Sequence, residues 1–220
     1  MKKQASIDKL LDVMATLRAP GGCPWDREQD HSSIRLHAIE EVYELIDAIE
    51  AKDDVEMAEE LGDLLLQVVF HCQLAKERGV FDFERVAGQI TQKLIRRHPH
   101  VFSATQIKNI DELWANWDKI KNAEKEGTVH ERHSALDGIP RHLPALMRVE
   151  KLVKKARKAK LLPEPAKLVR KPTRTALAAQ LFDLAQQAQQ YGWSAEELLR
   201  GESSKRERQL RKAEKKAAAK

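Results

Sequence analysis

Apolar residues in this chain recur every three or four positions, and runs of alternating Val, Ile and Thr are absent. That spacing predicts helices and no strands. Ile7, Leu10, Leu11, Met14 and Leu17 mark a first helix over 6–18, stopped by Pro20, Gly21 and Gly22. After the loop APGGCPWD, Asp30, Ser32 and Ser33 offer caps for a second helix that reaches Lys52. Its apolar stripe is Leu36, Ile39, Tyr43, Ile46 and Ile49, flanked by Val42 and Leu45. An acidic turn at Asp53 and Asp54 leads into a third helix over 55–78, which Gly79 ends. Asp82 caps a fourth helix reaching Arg97, where His98-Pro99 stops it. Further helices are expected over 110–125 and 143–160, with a loop over 127–140. Ala, Leu, Glu, Lys and Gln dominate, and these favour helix. The expected fold class is all-α.

Prolines at 163, 165 and 172 mark a linker over 161–174, which divides a domain at 1–160 from a helical remnant at 175–220. The remnant resembles an earlier stretch. EELGDLLLQ (59–67) aligns with TALAAQLFD (175–183), and FDFERVAGQITQKLIRRH (81–98) aligns with WSAEELLRGESSKRERQL (193–210) after a short gap. This reads as a decayed internal repeat in which Ala176 and Ala179 replace Glu60 and Asp63.

Dividing the net charge of +5 is informative. Residues 151–220 hold 19 Lys and Arg against 7 Asp and Glu, a balance of +12, which leaves −7 for residues 1–150. An acidic body therefore precedes a basic C-terminal third. Apolar residues make up 42% and charged residues 33%, enough core for a folded soluble domain. No segment approaches the roughly 20 apolar residues that span a membrane. Asp8, Lys9 and Asp12 interrupt any signal-like stretch after MKK. Two cysteines, Cys23 and Cys72, make no disulfide framework and suit packing roles in a reducing cytoplasm.

The candidate chemistry lies on the second and third helices. Glu41 and Glu44 are about 60° apart on one helical face, and Glu60 and Asp63 share that offset. Two such helices side by side aim four carboxylates at one volume. Like charges at that density repel unless a cation sits among them, and an all-oxygen set suits Mg²⁺ or Mn²⁺. Glu-rich helices more often present a solvated face. The third helix resists that explanation, because LGDLLLQVVFHC (61–72) is apolar nearly all round, as in a buried helix. Asp63 is expected there as a carboxylate with little water, on a polar stripe of Glu56, Glu60, Asp63 and Gln67. A di-iron bundle would need two Glu-x-x-His pairs, and only Glu28–His31 has that spacing.

Near the end of the fourth helix Lys93 and Arg97 are spaced to hold phosphate oxygens, with Arg96 beside them. Trp117 and Lys121 repeat the four-residue spacing. The runs GGCPWD, EEVYELIDAI, EELGDLLLQVVFH, KLIRRHPHVF, WDKIK and SALDGIPRHLPALMR, in this order over about residues 6–160, resemble the MazG family of nucleoside triphosphate pyrophosphohydrolases. The resemblance implies a four-helix bundle completed by homodimerisation. It implies Mg²⁺ on Glu41, Glu44, Glu60 and Asp63, with Lys93, Arg96 and Arg97 on the triphosphate. Trp117 and Lys121 would complete the nucleotide site, and the bond between the α and β phosphates of NTPs and dNTPs would be cut. A carboxylate not fully used in metal binding, Glu40 or Glu44, is the candidate general base, with Lys93 and Arg97 offsetting charge on the leaving pyrophosphate. Many family members carry two complete repeats; here the second is shortened and stripped of its carboxylates.

Two other readings compete. KLVKKARKAK (151–160) and KRERQLRKAEKK (205–216) could contact nucleic acid or an acidic partner, although no aromatic residues interleave them for base stacking. A catalytically silent dimer scaffold is the third.

Overall fold

The computed structural model describes residues 4–103, 105–163 and 172–218, the side chains of Asp118, Asn122 and Ala218 excepted. Among these, regular structure is helical throughout. The chain forms two compact units, residues 1–113 and 114–220.

The first unit holds α1 (Ser6–Arg18), α2 (Pro24–Glu28), α3 (His37–Ala51), α4 (Asp54–Glu77), α5 (Phe83–Arg97) and α6 (Pro99–Phe102). Its bounds follow from local chemistry. Asp53 accepts the amides of Val55 and Glu56 to start α4, and Asp82 accepts that of Arg85 to start α5. Between them Gly79 takes the left-handed conformation, φ 68°, that a helix stop favours. α3 begins later than expected. Asp30 spends its side chain on the amides of Ser32 and Ser33 in a tight turn, so the helix starts only at His37. The short α2 lies within the expected loop. Gly22 prepares it, since a Cβ there would lie 2.2 Å from the carbonyl oxygen of Leu17.

The core of this unit is Met14, Ile34, Val69, Phe70 and Leu74, with Ile7, Leu10, Leu11, Leu66 and Phe83 packed around it. The α1 stripe therefore points inward, as its spacing predicts. Two other expectations change. The apolar stripe of α3 is open, with Ile39, Tyr43, Ile46 and Ile49 all about half exposed. α3 turns Ala48 and the half-buried Glu41 and Leu45 inward instead. The buried apolar residues of α4, Val69, Phe70, Cys72, Leu74 and Ala75, all lie in its second half; Leu61 and Leu65 in the first half, and Val68 just past the middle, are exposed.

In the second unit α8 (Ala145–Lys158) packs on α10 (Ala195–Ala218). Glu196 accepts the amide of Ala145, and Arg148 donates to Ser203 and Glu207, so the two helices run parallel. Arg211 joins Glu207 to Asp137, and Glu214 accepts from Ser134 and the amide of Ala135. The acids of α10 thus fasten the 134–145 loop, over a core of Leu136, Leu152 and Ala156. Sequence grouped residues 143–160 with the first domain, whereas α8 here belongs with α10. Most of the expected linker, residues 164–171, lies outside the described residues. α9 (Arg174–Gln190), Gly192 at φ 71° and the Ser194 side chain accepting the amide of Glu197 reproduce the α4, Gly79 and Asp82 pattern. α7 (Ile110–Ala123) crosses the boundary between the units.

Among the described residues no helix is long and apolar enough to cross a membrane, and both cysteines are free. Leu74→Ala should lower unfolding free energy by about 2–5 kcal/mol, from lost burial and the cavity left behind. Urea unfolding followed by circular dichroism would show this as an earlier transition with an unchanged folded spectrum.

Candidate functional site

α3 and α4 pack side by side, and their inward polar positions meet. Glu41 from α3 and Glu60 and Asp63 from α4 each offer a carboxylate oxygen within 4.8 Å of the other two. Gln67, one turn past Asp63, donates to Glu41 at 3.3 Å and fixes its direction. Glu44 stands beside the trio, close enough for its charge to act on both Glu60 and Asp63. Glu40 is exposed, with His37 3.6 Å away.

Glu60 is the constrained member. It is only 8% exposed, and no donor among the described residues reaches its Oε2. Loss of water raises its carboxyl above the ordinary value, and the charges of Glu44, Asp63, Glu56 and Glu41 raise it further. Glu44 is raised by the same causes, desolvation first and then Glu41 and Glu40. Sequence placed the dry carboxylate at Asp63; the structure places it one turn earlier, and Asp63 is half-buried. The reason is that α3 covers α4 along the Glu60 line.

This donor set fits a hard divalent cation. A buried carboxylate oxygen lacks a partner, all donors are oxygens, and octahedral Mg²⁺ places opposite oxygens about 4.2 Å apart. Small side-chain movements would let Glu41, Glu60 and Asp63 share one ion, with Glu44 next in reach.

Beside Glu41 opens a cavity of about 280 Å³ lined by Met14, Leu17, Trp25, Asp26, Ile34, His37, Leu66, Gln67 and Phe70. Trp25 meets Phe70 edge-on at 6.5 Å and lies 6.4 Å from His37. An apolar, aromatic-walled cleft next to a carboxylate cluster has the character of a ligand site. Sequence reasoning passed over Trp25, His37 and Phe70 as site residues. The available signal was Trp25 in the GGCPWD run, and nothing local says that this loop folds back towards Glu41.

Of the expected cations, Lys93 and Arg97 are half-buried in the last turns of α5, and Arg96 beside them is exposed. Trp117 and Lys121 lie on the part of α7 in the second unit, where the Trp117 ring tilts against Trp114 at 5.2 Å.

Comparison with known proteins assigns the chain to a family. Residues 29–102 match the MazG nucleotide pyrophosphohydrolase domain, the span that carries all three clustered carboxylates and the α5 cations. A protein of Escherichia coli K12 named nucleoside triphosphate pyrophosphohydrolase is 49% identical over 150 residues, 68% of this chain and 56% of that protein. The nucleoside triphosphate pyrophosphohydrolase/pyrophosphatase MazG of Thermotoga maritima is 50% identical over 125 residues, 56% of this chain and 48% of its own. An uncharacterised 26.1 kDa protein of Streptomyces cacaoi is 38% identical over 195 residues, 87% of this chain and 77% of its own. The chain belongs to the MazG family. It spans about half the length of the E. coli and T. maritima relatives.

The raised carboxyl of Glu60 has a stability consequence. The folded protein holds this proton more tightly than the unfolded chain, so the group's contribution is present at low pH and lost as pH rises through the folded value. Without metal, Glu60→Gln should therefore melt higher than wild type at pH 8, and the gap should close towards pH 5. Calorimetric scans in chelator at the two pH values would test this; equal melting at both would remove the desolvated charge from the account.

Proposed function

We propose that this protein is a Mg²⁺-dependent nucleoside triphosphate pyrophosphohydrolase that splits NTPs and dNTPs between the α and β phosphates. The observation that carries the reading is the buried, partner-deficient Glu60 carboxylate clustered with Glu41 and Asp63. Glu41, Glu60 and Asp63, with Glu44 at the edge, would hold the ion. Mg²⁺ held by such a set would withdraw charge from phosphate oxygens. Mn²⁺ would suit the same donors.

The chain's own groups supply the rest. Glu44, whose carboxyl is raised, or Glu40 takes a proton from the attacking water. As that water's oxygen bonds to phosphorus, the α–β bridge breaks and leaves a nucleoside monophosphate and pyrophosphate. Lys93, Arg96 and Arg97 offset the charge of the phosphates. The cleft bounded by Trp25, His37 and Phe70 receives the nucleoside. The role is that of a cytoplasmic housecleaning enzyme that limits unwanted nucleotides.

The open α3 stripe favours a homodimer. Leu36, Ile39, Tyr43, Ile46 and Ile49 form a row along one helix, each at least two-fifths exposed, and a continuous apolar row of that length marks an interaction face. Ile46→Glu should shift the protein to a monomer in sedimentation analysis and lower turnover.

Chromatography of products from a panel of NTPs and dNTPs with Mg²⁺ tests the activity. Monophosphate and pyrophosphate should appear with wild type, and Asp63→Asn should lower the rate at least about a hundredfold, the loss of a metal-dependent electrostatic contribution. Wild-type rates in Asp63→Asn, or no turnover of any nucleotide, would overturn the proposal.

A further inference from the structure

The polar stripe of α4 does not end at Gln67. One turn on, His71 meets His31 of the loop between α2 and α3: their Nδ1 atoms are 2.8 Å apart and the rings are nearly parallel, 8° between planes. The Nε2 of His31 lies 2.9 Å from the guanidinium of Arg78. These contacts fix the proton positions. A guanidinium only donates, so Nε2 of His31 accepts. The His31 proton is then on Nδ1, which donates to Nδ1 of His71, and His71 carries its own proton on Nε2.

Such a chain requires two neutral rings. A proton added to His71 sets two N–H groups face to face, and one added to His31 sets an N–H against Arg78. The surroundings disfavour the charge at His71, whose value is lowered by burial first and by His31 second. The other charged groups nearby are Asp30, whose carboxylate is tied to the amides of Ser32 and Ser33; the Arg18–Glu77 pair between α1 and α4; and Asp82, which acts on Cys72 next to His71.

The loop tied down in this way forms part of the cleft wall. It carries Ile34, 1% exposed in both core and cleft, and it leads directly into His37 and Glu41. Across the tie, His71 follows the cleft residue Phe70 and lies one turn past Gln67, the partner of Glu41. The loop has a second fastening, Arg18 donating to the carbonyls of Asp26 and Gln29, and that one keeps its charge at all working pH values.

We propose that the His31–His71 hydrogen bond is an acid-released strap on the nucleotide cleft, with both histidines acting as positioning residues, and that protonation of His71 frees the loop and weakens nucleoside triphosphate binding. The inference rests on the proposed function for its substrate but not for its switch. The sign follows from His71: with a folded value below that of the unfolded chain, its contribution is complete above about pH 6.5 and is lost as pH falls through the folded value.

The test combines two measurements. Long-range nitrogen–proton NMR of the wild-type protein at pH 7.5 should show His31 protonated on Nδ1 and His71 on Nε2; a His31 proton on Nε2 overturns the proposal without any variant. Steady-state kinetics with one nucleoside triphosphate at saturating Mg²⁺ then compares wild type with His71→Asn from pH 8 to 5.5. Asn offers an acceptor oxygen near the Nδ1 position and does not titrate. At pH 8 the two KM values should agree, and on acidification the wild-type KM should rise roughly three- to tenfold relative to the variant, with kcat moving in parallel in both. The ratio cancels the substrate's own titration. Parallel KM profiles overturn the strap while leaving the activity intact. Absence of turnover at pH 8 instead removes the functional reading, and the NMR result still decides the strap.

Discussion

The contact between α3 and α4 has to keep a carboxylate out of water, and the rest of the first unit is arranged around that cost. Glu60 lies under α3 with one oxygen lacking a donor among the described residues and with other acids close by. Packing at the far end of the same helix offsets the penalty. Val69, Phe70 and Leu74 pack with Met14 of α1 and Ile34 of the α2–α3 loop, holding α4 against its neighbours while its first half carries repelling charge. α4 therefore divides its labour along its length, polar and strained at the start, apolar and buried at the end.

That division explains how the cleft comes to lie where it does. The core cluster and the carboxylate cluster abut at Leu66, Gln67 and Phe70, and the cavity opens at this junction with one wall from each. Trp25 and His37 close it because Arg18 holds the α2 segment by its backbone carbonyls and the His31–His71 bond holds the following loop. A ligand there meets apolar groups on one side and carboxylate oxygens on the other.

The second unit uses its charge differently. Its acids Glu196, Glu207 and Glu214 hold loop amides and arginines, and most of the described lysines and arginines of 151–216 are exposed. α9, Gly192 and α10 follow the same order of helix, left-handed glycine and helix as α4, Gly79 and α5. Among the described residues, α8, α10 and the 134–145 loop are joined by ion pairs and a small core.

The helices, their stops and the carboxylate pairs were legible in sequence because each depends on neighbours three or four residues away. Asp82 caps α5 as expected, the acidic turn at Asp53 leads into α4, Gly79 stops α4, and the offset of Glu60 from Asp63 puts both on one face. Which face points inward was not legible. The open stripe of α3, the dry carboxylate at Glu60 rather than Asp63, the partnership of α8 with α10 and the meeting of His31 with His71 join residues far apart in the chain. Periodicity states that a helix has an apolar row, but burial depends on what covers the row, and only the tertiary structure decides that.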